Sequence, residues 1–167
     1  MCPNVLEVGS GDGAVACHLL SHYNVAIKEL SVNELNPVLF EMCKANVQAI
    51  EQNDIELYLN AGAFEDMPLP AKHFDLIISS LPLNSLAHDD VVRILERFKQ
   101  VLNRSPHASV CFYEYLGSRM LNTCHSMLST EIPLSTALSQ AFDEYHFTSQ
   151  LVLKNFPPAK VWTIRYQ

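Results

Sequence analysis

Glu7, Gly9, Gly11 and Gly13 fall at alternate positions in the run Val5-Leu6-Glu7-Val8-Gly9-Ser10-Gly11-Asp12-Gly13. Their types and spacing suggest chemistry more directly than any other stretch of the chain. Glycine reaches positive φ and lets a ligand approach the main chain, so alternating glycines between an apolar run and a helix suit a cofactor lying against the backbone. Other polar groups stand where later apolar runs end: Glu34, Gly62-Ala63-Phe64, Ser79 to Asn84, and Tyr113-Glu114-Tyr115. Glu34 is placed to accept hydrogen bonds from both hydroxyls of a ribose. Gly9 to Ala14 also satisfies the looser dinucleotide pattern G-x-G-x-x-A, so the glycines alone leave the cofactor open.

The elements that position these groups follow from apolar periodicity. Val5 to Val8 reads as a strand, and a helix follows from Ala14 to Leu20, ending near Ser21 and His22. A second strand is expected over Val25 to Val32. Asn36 then caps a helix with Pro37 at its first position, and Leu39, Phe40, Cys43, Val47 and Ile50 keep helical spacing to about Asn53. Ile55 to Leu59 is a third strand, and Asn60-Ala61-Gly62-Ala63 turns into a loop reaching Pro70. His73 to Ser80 is a fourth strand, apolar enough to be covered on both faces. Asp89 to Leu102 is an amphipathic helix with an acidic start, and Ala108 to Tyr115 a fifth strand. Helices are expected over Ser118 to Leu128 and Ser135 to Glu144, with Met120 and Met127 as core. Strands at Phe147 to Lys154 and Lys160 to Tyr166 pair antiparallel. The alternation makes a three-layer α/β domain on a mostly parallel sheet, with residues 1–167 as one domain.

Composition narrows the partners. A chain of 167 residues that is 49% hydrophobic is an ordinary globular domain, and a formal net charge of -7 argues against a nucleic-acid docking face. Five cysteines without C-x-x-C spacing indicate neither a disulfide framework nor zinc, and the histidines show no metal-ligand spacing, so no metal is expected. No run is long enough to cross a bilayer and no leader precedes the first strand, so a cytoplasmic location is expected.

Charge separates the two cofactors. A pyrophosphate at this turn would meet Glu7 and Asp12 at a cost of a few kcal/mol where poorly solvated. S-adenosylmethionine has no phosphate and carries a sulfonium and an ammonium, for which carboxylates are an advantage. The chain resembles class I S-adenosylmethionine-dependent methyltransferases: V-L-E-V-G-S-G-D-G at 5–13, E-L-N-P at 34–37, F-D-L-I-I-S-S-L-P-L at 74–83 and N-F-P-P-A-K-V-W at 155–162 carry the likeness. S-S-L-P-L with N-F-P-P-A-K-V-W is similar to bacterial phospholipid N-methyltransferases of the phosphatidylethanolamine type. The resemblance implies a Rossmann-like fold with seven strands, the last antiparallel. It also implies Glu7, Gly9, Gly11 and Gly13 around the methionine part, Glu34 at the ribose, and Ser79 to Leu83, with Ser80 and Pro82, at the transfer site.

Two departures from the family pattern matter. Many class I enzymes hold the adenine amino group with an acidic residue after the third strand's glycine, whereas Ala63 follows Gly62 here; backbone groups of Ala63 and Phe64, or Glu65 and Asp66, would have to serve. Family members also carry a helical segment before the first strand, which here begins at about residue 4, so an open, weakly binding cofactor site is expected. RNA adenine dimethylating enzymes have Asn-Leu-Pro-Tyr where this chain has Ser80-Leu81-Pro82-Leu83, which disfavours RNA unless Phe64, Tyr113 or Tyr115 stacks on a base. Glu114 could take a proton from an ammonium acceptor or attract a cationic head group, with Tyr113 and Tyr115 offering cation-π contact; core packing of the tyrosines and a solvated Glu114 is the alternative. His88 is either a proton shuttle or simply part of a helix start, and Ser79, Ser80 and Asn84 either bind or only satisfy the turn. The expected activity is methyl transfer to a phospholipid amine with peripheral membrane contact. The rivals are RNA or a small metabolite as acceptor, or a non-catalytic interaction module; oligomeric state is left open.

Overall fold

The computed structural model describes residues 3–50, 54–115, 145–154 and 158–166. Ten elements follow in chain order: β1 (Asn4–Val8), α1 (Ala14–Tyr23), β2 (Glu29–Glu34), α2 (Pro37–Gln48), β3 (Glu56–Ala61), β4 (Leu76–Ser79), α3 (His88–Val101), β5 (Ser109–Tyr115), β6 (Tyr145–Val152) and β7 (Ala159–Tyr166). The strands form one seven-stranded sheet in the order β3-β2-β1-β4-β5-β7-β6. β3, β2, β1, β4 and β5 run parallel, and β7 lies antiparallel between β5 and β6. The chain crosses from β3 at one edge to β4 on the far side of β1, so the carboxyl ends of β1 and β4 flank the reversal of strand order where such sheets bind ligands.

Alternation along the strands assigns the layers. Val5, Leu30 and Val32 pack with Ala16 and Leu20 of α1 and Cys43 and Val47 of α2. Leu6, Val8 and Ile77 pack on the other face with Val91, Ile94, Leu95, Phe98 and Val101 of α3. The Asn36 side chain accepts from the amides of Val38 and Leu39, with Pro37 at the first helical position, as the sequence predicts. β4 contributes Ile77 to one cluster and Leu76 and Ile78 to the other, as expected for a strand covered on both faces.

Several boundaries differ from expectation, β6 among them, which covers Tyr145–Val152 and not Phe147 to Lys154. Asn24–Ala26 form a 3-10 turn, and parallel pairing begins only where the Lys28 N–H reaches the Pro3 carbonyl, so β2 starts four residues later than its apolar run. α2 stops at Gln48, with the Ala49 and Ile50 amides turned back on Ala45 and Val47. β3 runs on to Ala61 because Asn60 and Ala61 stay in register with Asn33 and Glu34, and the loop starts at Gly62. β4 begins at Leu76, since His73 and Phe74 donate instead to the Val101 carbonyl at the end of α3. The helices expected over 118–128 and 135–144 lie outside the described residues. Among the described residues no helix is long and apolar enough to cross a membrane.

Phe98 couples this core to the loop after β3. It is fully buried, and its ring lies 5.1 Å from that of Phe64, in the short 3-10 turn Phe64–Asp66. Phe98→Ala is expected to cost roughly 3–5 kcal/mol of stability. Chemical denaturation monitored by circular dichroism checks this, and a loss below about 1 kcal/mol would contradict the packing described.

Candidate active site

Gly9, Gly11 and Gly13 all sit at positive φ, at 73, 59 and 88°. Two of them show why no larger residue serves. A Cβ on Gly13 would stand 2.8 Å from Cys43 Sγ and 3.2 Å from Cys43 Cα, so this glycine sets how closely α1 and α2 approach. A Cβ on Gly11 would meet nothing within 4 Å, which leaves open space beside the turn. At Gly9 the neighbour is the Leu81 side chain, whose Cδ2 would be 2.8 Å from an added Cβ, so the loop after β4 rests on the glycine turn. Burial pushes the Cys43 thiol up, and Ser10 Oγ donates to its Sγ at 3.5 Å, so Cys43 packs here as a neutral group.

The carboxyl end of β2 organises the turn. The Asn33 carbonyl accepts from both Gly9 and Ser10 amides at 3.0 Å. Glu34 Oε2 accepts from the Gly11 N–H at 2.7 Å and Oε1 from the Asn36 N–H at 2.8 Å, short bonds of the kind made to charged acceptors. Its main-chain carbonyl takes the Gly62 N–H at 3.0 Å. Each carboxylate oxygen keeps a further lone pair for a ligand hydroxyl. Sequence reasoning places Glu34 here but misses Asn33, Cys43 and Leu81, whose contacts depend on register and helix approach.

Glu7 behaves differently. It is 0% exposed, and neither carboxyl oxygen makes a hydrogen bond of good geometry among the described residues, the Ala16 amide giving only a weaker approach. Burial raises its pKa from 4.5 to about 8, with Glu34 and Asp12 adding to the rise and the Ala16 amide offsetting part of it. From its sequence context Glu7 is expected to be a standing negative charge. The buried group is instead neutral near pH 7 and becomes a carboxylate when a cation is placed against it.

After β4, Ser79 is fully buried and its hydroxyl accepts from the Leu81 N–H at 3.3 Å, while the Ser80 amide donates to the Val8 carbonyl at 2.9 Å. The Leu83 N–H reaches back to the Leu81 carbonyl at 2.8 Å around Pro82 (φ -78°, ψ 65°), an inverse γ-turn that leaves Pro82 exposed. His88 opens α3. Phe64 corrects an expectation: its ring belongs to the α3 core, so it is no base-stacking platform and only its main chain can reach a ligand. On β5, Phe112 aligns with Ser79 and Ser79 with Val8, so Tyr113 and Glu114 extend past that level at the same end of the sheet. Glu114 registers with Lys160, whose Nζ lies 3.7 Å from the Trp162 ring centroid. The side chains of Glu114, Tyr115 and Asn84 lie outside the described residues.

These groups fit S-adenosylmethionine. A buried carboxyl with no well-made hydrogen bond suits a cation, the bracketed Glu34 suits a ribose, and the open side of Gly11 leaves room. Two predictions follow from the geometry. Gly13→Ala should lower Tm more than Gly11→Ala, because both incur the left-handed backbone cost of about 1–2 kcal/mol but only Gly13 collides with α2; equal losses in a thermal scan would refute the close approach. For Glu7, the unfolded chain releases its proton near 4.5 and the folded chain near 8, so stability falls as pH rises through that window and levels off above it. Glu7→Gln removes this loss and is expected to raise stability by on the order of a few kcal/mol at pH 8 and little at pH 4.5. Equal effects at the two pH values would contradict it.

A methyltransferase domain family matches residues 5–105. Among solved structures, the CurJ carbon methyltransferase superposes with TM-score 0.70 at 14% identity over 98% of this chain and 48% of its own, so the chain spans about half of that protein. An S-adenosylmethionine-dependent methyltransferase from Aquifex aeolicus gives 0.69 at 14% identity, covering 99% and 82%. Magnesium protoporphyrin IX methyltransferase from Synechocystis PCC 6803, with bound S-adenosylhomocysteine, gives 0.73 at 9% identity, covering 99% and 74%. At these identities the likeness is one of fold. Among curated proteins none matches the sequence. The family match takes in the glycine turn, Glu7, Glu34 and all of α3, so the chain belongs to this family of class I methyltransferase domains, whose methyl donor is S-adenosylmethionine.

Proposed function

We propose that the chain methylates an amine nitrogen, with a phospholipid head group as acceptor, at the cytoplasmic face of a membrane that it contacts peripherally. The observation that carries the donor half of this reading is Glu7, a buried carboxyl with no hydrogen bond of good geometry among the described residues, beside a turn whose amides are held by Asn33 and Glu34. The acceptor half is supported by the likeness of Ser79-Ser80-Leu81-Pro82-Leu83 and Asn155 to Trp162 to phospholipid N-methyltransferases. In this reading Glu7, Gly9, Gly11 and Gly13 hold the methionine part, Glu34 the ribose, and the main chain of Ala63 and Phe64 the adenine. Ser79 shapes the floor, while Ser80, Pro82 and Glu114 face the acceptor.

When bound, S-adenosylmethionine supplies a methyl group already activated on a sulfonium. The protein's task is to bring the acceptor in line and exclude water. Held by Glu7, Gly9, Gly11 and Gly13, the methionine part would present this methyl group to the lone pair of the amine, with the sulfur as leaving group. An ammonium must first release a proton, for which Glu114 is the acceptor in this proposal. The Leu81–Leu83 turn, exposed at Pro82, gives the transfer loop a rigid apolar rim.

Calorimetry with S-adenosylhomocysteine tests the donor half. The full chain should bind, and Glu34→Ala should weaken binding at least about tenfold, the worth of lost hydrogen bonds to a charged acceptor. No binding, or no effect of the substitution, removes the reading. Labelled methyl offered with phosphatidylethanolamine vesicles or with ribosomal RNA tests the acceptor: incorporation into the lipid amine is expected, and incorporation into RNA alone would replace the lipid.

A further inference from the structure

β2 carries an unusual face. Glu29, Ser31 and Asn33 alternate with Leu30 and Val32 and are all buried, Asn33 to 2% exposure. The Glu29 carboxylate is met by His73 Nε2 at 2.7 Å and by Ser31 Oγ at 3.2 Å, at the end of the sheet away from the glycine turn. Asn33 lies at the other end. Its Nδ2 donates to the Gly62 carbonyl at 2.9 Å and contacts the Asn60 carbonyl at 3.4 Å, and Asn60 Nδ2 reaches back to the Val32 carbonyl at 3.4 Å.

The bond to Gly62 acts where the β2–β3 ladder stops. Glu34 and Ala61 are the last pair in register, and Gly62 turns away at φ 129°. Its carbonyl and the Ala63 N–H belong to one planar trans peptide, in which the two groups point in opposite directions. A donor that fixes the carbonyl therefore also fixes the N–H, aimed away from Asn33. The Ala63 N–H has no acceptor among the described residues, and Ala63 is half-buried. In the proposed reading Ala63 stands where many class I methyltransferases carry an acidic side chain for the adenine, which leaves that recognition to the main chain or to Glu65 and Asp66.

We propose that Asn33 is a positioning residue for adenine: by holding the Gly62 carbonyl, its carboxamide aims the Ala63 N–H as the donor to the ring nitrogen that adenine presents as an acceptor. The inference rests on the S-adenosylmethionine reading of the site. It makes Asn33 a determinant of base selectivity, because hypoxanthine carries a proton on that same nitrogen and would oppose donor to donor. The Asn33 main-chain carbonyl, which holds the Gly9 and Ser10 amides, is unaffected by changes of side chain, so the methionine end of the site should not respond.

The test is equilibrium binding of S-adenosylhomocysteine, S-inosylhomocysteine and methylthioadenosine to the full chain and to Asn33→Val and Asn33→Ser, with folding checked by circular dichroism. The parent should prefer the adenine over the hypoxanthine ligand by about tenfold or more, and both variants should bring that ratio to within about threefold of unity. The ratio of S-adenosylhomocysteine to methylthioadenosine should stay unchanged. Equal weakening towards all three ligands would show a structural role only and overturn the proposal, as would an unchanged base preference. If Asn33→Val does not fold, the shorter Asn33→Ser, whose hydroxyl does not span to Gly62, decides on the same ratios. Failure of the parent to bind S-adenosylhomocysteine at all would overturn the underlying cofactor reading and the proposal with it.

Discussion

The site depends on one constraint, the hydrogen bonding at the carboxyl end of β2. The Asn33 carbonyl takes the Gly9 and Ser10 amides, the Glu34 carboxylate takes the Gly11 and Asn36 amides, and the Glu34 carbonyl takes Gly62. The end of β1, the start of α2 and the end of β3 are thereby held by two adjacent residues. Buried amides need acceptors, and a turn at positive φ cannot satisfy its own donors through a regular ladder. Replacing Glu34 therefore disturbs the glycine turn as well as any ribose bound to it.

Glu7 stands against this well-paired frame as a buried acid with no well-made hydrogen bond among the described residues. Its cost is carried by the packing around it, where Leu6 and Val8 bury fully into the α3 layer and Val5 into the α1–α2 layer. A folded state that tolerates such a group is less stable at neutral pH than it could be, and the strain is relieved when a cation supplies the missing charge. Binding of a cationic ligand is then coupled to proton release, which makes affinity and pH two aspects of one equilibrium.

Much of the architecture was legible because it rests on local rules. The apolar run into Gly9, the Asn36-Pro37 cap, the stripe on α3 and the antiparallel pairing of β7 follow from periodicity and turn chemistry. Glu34 was legible because it ends the strand after the glycine turn. Asn33 was not: an asparagine at a strand end reads as a turn former, and only the register of β2 with β3 shows its amide reaching Gly62. Phe64 was misjudged for a related reason, since its burial depends on Phe98, which lies 34 residues away in sequence. Leu81 and Cys43 likewise acquire their roles from the close approach of elements that sequence spacing does not report.

The contact of Leu81 with Gly9 joins the glycine turn to the loop after β4, and the Leu81 side chain occupies the space that a side chain at position 9 would fill. In the proposed function the first of these loops holds the donor and the second meets the acceptor. The two loops are therefore complementary surfaces of a single joint. On that proposal a substitution at exposed Pro82 leaves the glycine turn untouched, whereas a change at residue 81 is felt by both loops at once.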